Sequence, residues 1–88
     1  MEFDWDPAKA AANLRKHKIE FAQATRVFLD SYHYEYDQAD DDDGVRHNIV
    51  GIADGFMLHV TYTMRGNTYR IISARPANRH ERKRYHEV

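Results

Sequence analysis

Two tight turns in the second half of the chain constrain its fold more than any other feature. The segments VRHNIVGIA (45–53), FMLHVTYTM (56–64) and TYRIISA (68–74) are separated by Asp54-Gly55 and by Arg65-Gly66-Asn67. An Asp-Gly pair between two β-prone segments is a strong hairpin signal, because both residues tolerate the positive φ that a two-residue turn requires. We therefore predict a meander of three antiparallel strands.

Hydrophobic alternation assigns the two faces of the middle strand. Apolar side chains recur at every second position, as expected for a strand with one buried face. The predicted core face consists of Phe56, Leu58, Val60, Tyr62 and Met64, and the other face of Met57, His59, Thr61 and Thr63.

The first half of the chain predicts two helices and two further strands. EFDW (2–5) predicts a short strand, and Asp6-Pro7 resembles a helix N-cap followed by proline at the first helical position. The alanine-rich AKAAANLRKHK (8–18) favours continuation of that helix. EFAQATRVF (20–28) has apolar residues at helical spacing and predicts a second short helix, whereas YHYEY (32–36) alternates like a half-buried strand.

Polar segments flank the meander. DQADDDDG (37–44) contains four consecutive aspartates that cannot pack into a core, so we interpret it as a solvated loop. Asn78, with Glu81 three residues later, forms the pattern of a capping box that opens a helix to the C-terminus. That helix is charged around most of its circumference, except at Tyr85 and Val88.

These elements predict a single α+β domain spanning residues 1–88. Its sheet is small, twisted and mostly antiparallel, with two N-terminal helices packed on it and a C-terminal helix. We expect the helices to lie on one face of the sheet.

The composition excludes several classes of protein. The chain has no cysteine, which excludes disulfides, thiolate zinc sites and cysteine nucleophiles and fits a reducing cytoplasm. The acidic N-terminus lacks the basic and apolar stretches of a secretory signal, and no apolar run is long enough for a membrane span. The six histidines lack zinc-motif spacing, and the aspartate run lacks the alternating ligands of a calcium loop. We therefore expect a cytoplasmic protein with no metal, no cofactor and no membrane partner.

Charge is distributed unevenly along the chain. Residues 1–44 contain five Lys and Arg against eleven Asp and Glu, whereas residues 45–88 contain eight against three, although the whole chain carries a net charge of only −1. The segment 68–85 alone holds six cationic side chains. Two interpretations stay open, because the two halves could attract each other or the basic half could meet a polyanion.

The basic segment could hold an RNA phosphate. Cleavage by internal transesterification needs a group that accepts the 2′-OH proton, a group that protonates the leaving oxygen, and cations around the transition state, but no metal. Glu81 or a histidine could accept the proton, and Tyr85 or a cation could donate one. Equally, Glu81 could only cap the helix and Tyr85 could only anchor it.

Arg70 and Arg75 are an odd number of positions apart, so in a regular strand their side chains point to opposite faces of the sheet. They share a face only if a bulge near Ser73-Ala74 resets the register.

Two blocks of the chain resemble the BrnT family of toxins. Residues 3–30 resemble the family pattern W-D-x-x-K…N…K-H-x-I/V-x-F-x-x-A…V-F-x-D, and residues 60–85 resemble V-x-Y-T-x-R…R-I-I-S-A-R-x-A…E-x-x-x-Y. The matching positions of the first block are Trp5, Asp6, Lys9, Asn13, Lys16, His17, Ile19, Phe21, Ala24, Val27, Phe28 and Asp30. Those of the second block are Val60, Tyr62, Thr63, Arg65, Arg70, Ile71, Ile72, Ser73, Ala74, Arg75, Ala77, Glu81 and Tyr85.

The resemblance implies a RelE-like fold and a ribonuclease toxin of a type II toxin–antitoxin system. It also implies neutralisation by a BrnA-type ribbon-helix-helix antitoxin, in a complex that represses its own operon, so that operator DNA is contacted only through the antitoxin. For assembly, a homodimer and a toxin–antitoxin heterotetramer are the alternatives.

From the residues and the resemblance together we expect a metal-independent endoribonuclease that cuts mRNA and inhibits translation. The candidate catalytic residues are Arg65, Arg75, Glu81, Tyr85 and His17, and the candidate RNA-binding residues are Lys16, Lys18, Arg70, Arg79 and Arg82. The alternative is a non-catalytic module, such as a decayed toxin, that only binds its antitoxin. Growth arrest on induction without the antitoxin would separate these hypotheses.

Overall fold

The computed structural model describes residues 1–40 and 44–87. The elements, in chain order, are β1 (Glu2–Asp4), α1 (Pro7–His17), α2 (Phe21–Ala24), a 3₁₀ helix (Thr25–Leu29), β2 (Tyr34–Asp40), β3 (Gly44–Ala53), β4 (Phe56–Arg65), β5 (Thr68–Pro76) and α3 (Arg79–His86). The sheet order is β1-β5-β4-β3-β2, with β1 parallel to β5 and the other pairs antiparallel. The predicted α+β class is confirmed, and the five-stranded sheet is mixed.

The meander contains four strands, not the predicted three. Strand β2 pairs with β3 from Tyr34–Val50 to Asp40–Gly44, so residues 37–40 of the predicted acidic loop extend a hairpin. The loop prediction was wrong for this part because β2 is an edge strand, in which Asp37 and Gln38 are exposed while the backbone forms the ladder. Residues 41–43 of that loop, and Val88 of the predicted terminal helix, lie outside the described residues.

The hydrophobic core lies on the predicted face of β4, but Phe56 and Met64, at the two ends of that face, are exposed. Leu58, Val60 and Tyr62 are buried there and pack with Ile49 and Ile71 of the neighbouring strands. This face is covered by Ile19 of the α1–α2 connection, Phe21 and Ala24 of α2, and Val27 of the 3₁₀ helix. The predicted second helix ends early, because the chain tightens into a 3₁₀ helix after Ala24, yet its apolar residues still reach the core.

Local helix signals in the sequence are realised as hydrogen bonds. Asp6 caps α1 by accepting a hydrogen bond from the Ala8 N–H at 2.8 Å. Asn78 and Glu81 form the reciprocal capping box of α3, with distances of 2.8 Å and 2.9 Å. Both helix starts were therefore predictable from short-range chemistry.

The buried side chain of Asn13 joins α1 to the edge of β5. Its amide donates to the carbonyl oxygen of Ala74 at 2.9 Å and to that of Ile19 at 3.0 Å, and its Oδ1 accepts from the Ala74 N–H at 3.1 Å. β1 pairs only with residues 68–70, so Asn13 satisfies backbone groups of β5 beyond the end of β1. This contact fixes α1 beside β5.

A β-bulge in β5 determines which side chains share a face. Thr61 of β4 lies opposite Ser73, but the next residue, Tyr62, lies opposite Ile71, so Ile72 is the extra residue. As a result Arg70, which is opposite Thr63, and Arg75, which is opposite His59, both lie on the face of the sheet away from the core.

Helix α3 contacts that second face. Its Glu81 reaches Arg75 and His59, and the Arg84 guanidinium lies 4.5 Å from the centre of the Tyr34 ring. The expectation that all helices cover one face of the sheet was wrong for α3. After Pro76 the chain continues on the face away from the core, where Glu81 of α3 contacts Arg75 and His59. Among the described residues, no helix has the length and apolar character needed to cross a bilayer.

Candidate active site

A groove between α1 and the outer end of the meander collects cationic side chains from four elements. A cavity of about 280 Å³ is lined by Lys9 of α1, Arg46 of β3, Arg65 of β4 and Arg70 of β5. The register of the β4–β5 hairpin brings two of these groups together, since Arg65 ends β4 opposite Thr68 and Arg70 lies opposite Thr63. Four guanidinium or ammonium groups around one cavity favour the binding of an anion.

This groove continues along β5 towards the end of α1. A second cavity of about 250 Å³ is lined by Lys16 and His17 and by Ser73, and it shares Lys9 and Ile72 with the first. We call the combined surface of Lys9, Lys16, His17, Arg46, Arg65 and Arg70 the basic groove. Ile72, the extra residue of the β-bulge, lines both cavities.

Arg70, in the basic groove, has a carboxylate neighbour. Arg70 Nη1 lies 3.3 Å from Asp4 Oδ1, and the Arg70 side chain is one-quarter exposed. Asp4 comes from the acidic first half of the chain, as does Asp37, which pairs with His47 of the second half. The Arg26–Asp54 pair also links the two halves, but there the carboxylate comes from the second half. Mutual attraction of the halves and a cationic surface are therefore both present.

Arg75 and Glu81 form an ion pair beneath α3. The two guanidinium nitrogens donate to the two carboxylate oxygens at 2.7 Å and 2.8 Å, and the Glu81 side chain is only 9% exposed. Burial alone would raise the pKa of Glu81, but the hydrogen bonds from Arg75 and from the Asn78 N–H outweigh it and lower that pKa below its usual value. Glu81 is thus a carboxylate at neutral pH and combines helix capping with an ion pair.

His59 extends this cluster and was missed by sequence reasoning. The residue is 5% exposed, its Nε2 lies 2.7 Å from Tyr36 Oη and 3.7 Å from Glu81 Oε2, and its Nδ1 has no hydrogen-bond partner among the described residues. Burial, together with the positive charge of Arg75, lowers the pKa of His59 despite the opposing effect of Glu81. Alternation in β4 placed His59 on the face opposite the apolar one, and Glu81 of α3 contacts it there.

Tyr85 anchors α3 to the turn that precedes β2. Its hydroxyl donates to Asp30 Oδ2 at 2.6 Å, and the same carboxylate accepts from the Ile52 and Tyr32 N–H groups. Burial and this hydrogen bond raise the pKa of Tyr85 to about 12. In this arrangement the hydroxyl is committed to Asp30.

The candidate catalytic residues therefore fall into three places. His17 and Arg65 line the basic groove, Arg75 and Glu81 form the ion pair, and Tyr85 contacts Asp30.

The candidate RNA-binding residues are also divided. Lys16 and Arg70 line the basic groove, whereas Lys18 and Arg82 line a separate, mainly apolar cavity and Arg79 is exposed in the first turn of α3. Sequence reasoning did not propose Lys9, Arg46 or Ser73 for the site. Lys9 was visible only as part of the family pattern, and no local signal marked Arg46.

The Glu81 carboxylate predicts a specific loss of stability in acid. The pKa of Glu81 is lower in the folded protein than its value of about 4.5 in the unfolded chain. Glu81 therefore stabilises the fold at pH values above 4.5, and this contribution to the free energy of unfolding is lost as the pH falls through the pKa of the folded protein. We expect the free energy of unfolding, measured by urea titration at pH 7 and pH 3.5, to fall less for Glu81→Gln than for the unaltered chain. The exposed acid variant Glu20→Gln is the control, and an equal fall in all three proteins would contradict the assignment.

Comparison with known proteins places these features in a family. Residues 5–81 of the 88-residue chain match a family model described as the ribonuclease toxin, BrnT, of type II toxin-antitoxin systems. No curated protein matches the chain. The matched region contains every residue of the basic groove and the Arg75–Glu81 pair, and it ends before Tyr85.

Proposed function

The chain belongs to the BrnT family of ribonuclease toxins of type II toxin–antitoxin systems, and from that membership we propose that it cuts RNA in the basic groove without a metal ion. The family supplies the reaction class and an antitoxin partner. The observation that supports the location is the convergence of Lys9, Arg65, Arg70 and His17 along one continuous groove.

The proposed reaction is an internal transesterification. His17 accepts the proton of the ribose 2′-OH, the 2′ oxygen forms a bond to phosphorus, and the bond from phosphorus to the 5′ oxygen breaks. Histidine is the side chain that enzymes use most often for proton transfer of this kind. Lys16, which lines the same cavity, donates a proton to the leaving 5′ oxygen, and the products are a 2′,3′-cyclic phosphate and a 5′ hydroxyl.

The remaining cations stabilise the charge that develops on the phosphate. Arg65 and Arg70 lie in the larger cavity, where their planar guanidinium groups can donate two hydrogen bonds each to phosphate oxygens. Catalytic roles for Arg75, Glu81 and Tyr85 remain predictions that require α3 to move, because their polar groups are engaged in contacts within the fold. Arg79, Lys18 and Arg82 would bind RNA outside the reacting phosphate.

The partners follow from the same proposal. We propose a BrnA-type ribbon-helix-helix antitoxin, with repression of the shared operon by the toxin–antitoxin complex and operator DNA contacted by the antitoxin alone. A RelE-like fold is consistent with the antiparallel meander flanked by N-terminal helices and a terminal helix. Activity on mRNA in the cytoplasm accounts for inhibition of translation.

Cleavage in the presence of a chelator tests this proposal. We expect the purified chain to cut a defined RNA in EDTA as fast as in buffer with Mg²⁺, and to leave cyclic phosphate ends. Cleavage that requires Mg²⁺, or a protein that binds RNA without cutting it, would count against the proposal. The latter result would favour the non-catalytic alternative.

A further inference from the structure

An apolar groove lies beside the basic groove. Its cavity of about 500 Å³ lies between the end of α1, the turn from β3 to β4 and the end of β5. The apolar lining consists of Ile19, Phe56, Met57, Leu58, Pro76 and Ala77. Phe56 is 64% exposed, so a large aromatic side chain faces water at the mouth of this groove.

Cationic groups surround the apolar lining. Lys18, which ends α1 with a φ of 62°, and Arg82 of α3 contribute to the wall of the groove, and so does His17. Arg82 Nη1 donates to the carbonyl oxygen of Ala77 at 2.7 Å, which fixes the guanidinium at the rim. Apolar surface bordered by fixed positive charge is complementary to apolar side chains flanked by carboxylates.

We propose that this apolar groove binds a segment of the antitoxin in which apolar side chains are flanked by Asp or Glu. This inference rests on the family membership for the existence of the antitoxin, and on the groove for the chemistry of its segment. A protein segment fits better than an RNA base, because the apolar lining is aliphatic except for Phe56 and the cavity is large enough for several side chains.

The position of the groove gives the bound segment an inhibitory effect. His17 lines both the apolar groove and the basic groove. A bound antitoxin segment that packs against Phe56 and pairs one of its carboxylates with Lys18 therefore covers the imidazole of His17. It also places negative charge where the RNA phosphate would bind. The antitoxin and the RNA compete for one surface, and neutralisation requires no change of fold.

Titration of toxin variants with the antitoxin encoded in the same operon tests the proposal. Arg65→Ala serves as a non-toxic background, so that binding is measured whether or not the chain cuts RNA. In this background we expect Phe56→Asp to raise the Kd for the antitoxin by at least about 30-fold, because it places a charge in an apolar contact. The matched control is Leu29→Asp, since Leu29 is an equally apolar residue that is 80% exposed on the 3₁₀ helix.

Two outcomes would overturn the proposal. One is an unchanged Kd for Phe56→Asp, with circular dichroism showing a folded protein, and the other is an equal weakening by Leu29→Asp. If Phe56→Asp in the otherwise unaltered chain weakens RNA binding and leaves the Kd for the antitoxin unchanged, the groove holds a nucleobase instead. Failure of the RNA-cleavage proposal would not affect the binding result.

Discussion

Arg65→Ala is expected to reduce RNA cleavage by about 10²- to 10³-fold while leaving the chain folded. Arg65 lines the basic groove at the end of β4, where its guanidinium can bind the phosphate as negative charge develops on it. The side chain is exposed, so its removal leaves no buried group unpaired. Single-turnover cleavage of a short RNA, with protein in excess, measures the effect on the chemical step.

A charge-matched control separates catalysis from general attraction of RNA. Arg15→Ala removes the same side chain from an exposed position in the last turn of α1. We expect this variant to weaken RNA binding slightly and to cut bound RNA at the original rate. Equal loss of cleavage in both variants would mean that net charge matters and that the basic groove is not the site.

Arg75→Ala is expected to lower the free energy of unfolding by about 3 kcal/mol, because it leaves the buried Glu81 carboxylate without its partner. The estimate is at the low end for a broken buried pair, since Arg75 itself is about one-third exposed. For a domain of this size the loss corresponds to a fall in Tm on the order of 10–20 °C. Thermal unfolding followed by circular dichroism measures it.

The double variant identifies the cause of that loss. Replacement of Glu81 by glutamine removes the unpaired charge, so Arg75→Ala should cost less in a Glu81→Gln background than in the unaltered chain. Additive effects of the two substitutions would show that the ion pair is not the cause. An activity defect of Arg75→Ala is therefore evidence for catalysis only at a temperature where the variant is folded.

The meander and the core were predictable because local chemistry determines them. Asp54 and Gly55 have φ values of 54° and 85°, the positive values that the hairpin signal implies. Alternation in β4 then places Leu58, Val60 and Tyr62 in the core. The caps of α1 and α3 involve residues two or three positions apart, which a sequence displays directly.

Other features depend on contacts between distant segments. The bulge at Ile72 lies in β5, which pairs with both β4 and β1 and packs against α1, and Asn13 bonds to Ala74, which is 61 positions away in sequence. The side of the sheet that α3 occupies depends on the crossing after Pro76 and on the Tyr85–Asp30 contact across 55 positions. No periodicity or propensity carries this information.

The sequence showed where cations are concentrated but not how they are arranged. It left attraction between the halves and a polyanion partner as alternatives, and of the six cations in residues 68–85, all within the described part of the chain, Arg70 alone lines the basic groove. However, the sequence could not show that Arg75 turns to Glu81 instead, or that Lys9 and Arg46 complete the groove from other elements. Parity suggested opposite faces for Arg70 and Arg75, and only the bulge places them on the same face.

The most direct test of a metal-independent transesterification at His17 uses an RNA with a single 2′-deoxy substitution at the cleaved position. In EDTA, the unaltered chain should cut the all-ribose RNA and leave the substituted RNA intact at that position, and His17→Ala should cut neither at a measurable rate. Cleavage of the substituted RNA at the same position, or undiminished cleavage of the all-ribose RNA by folded His17→Ala, would contradict the account.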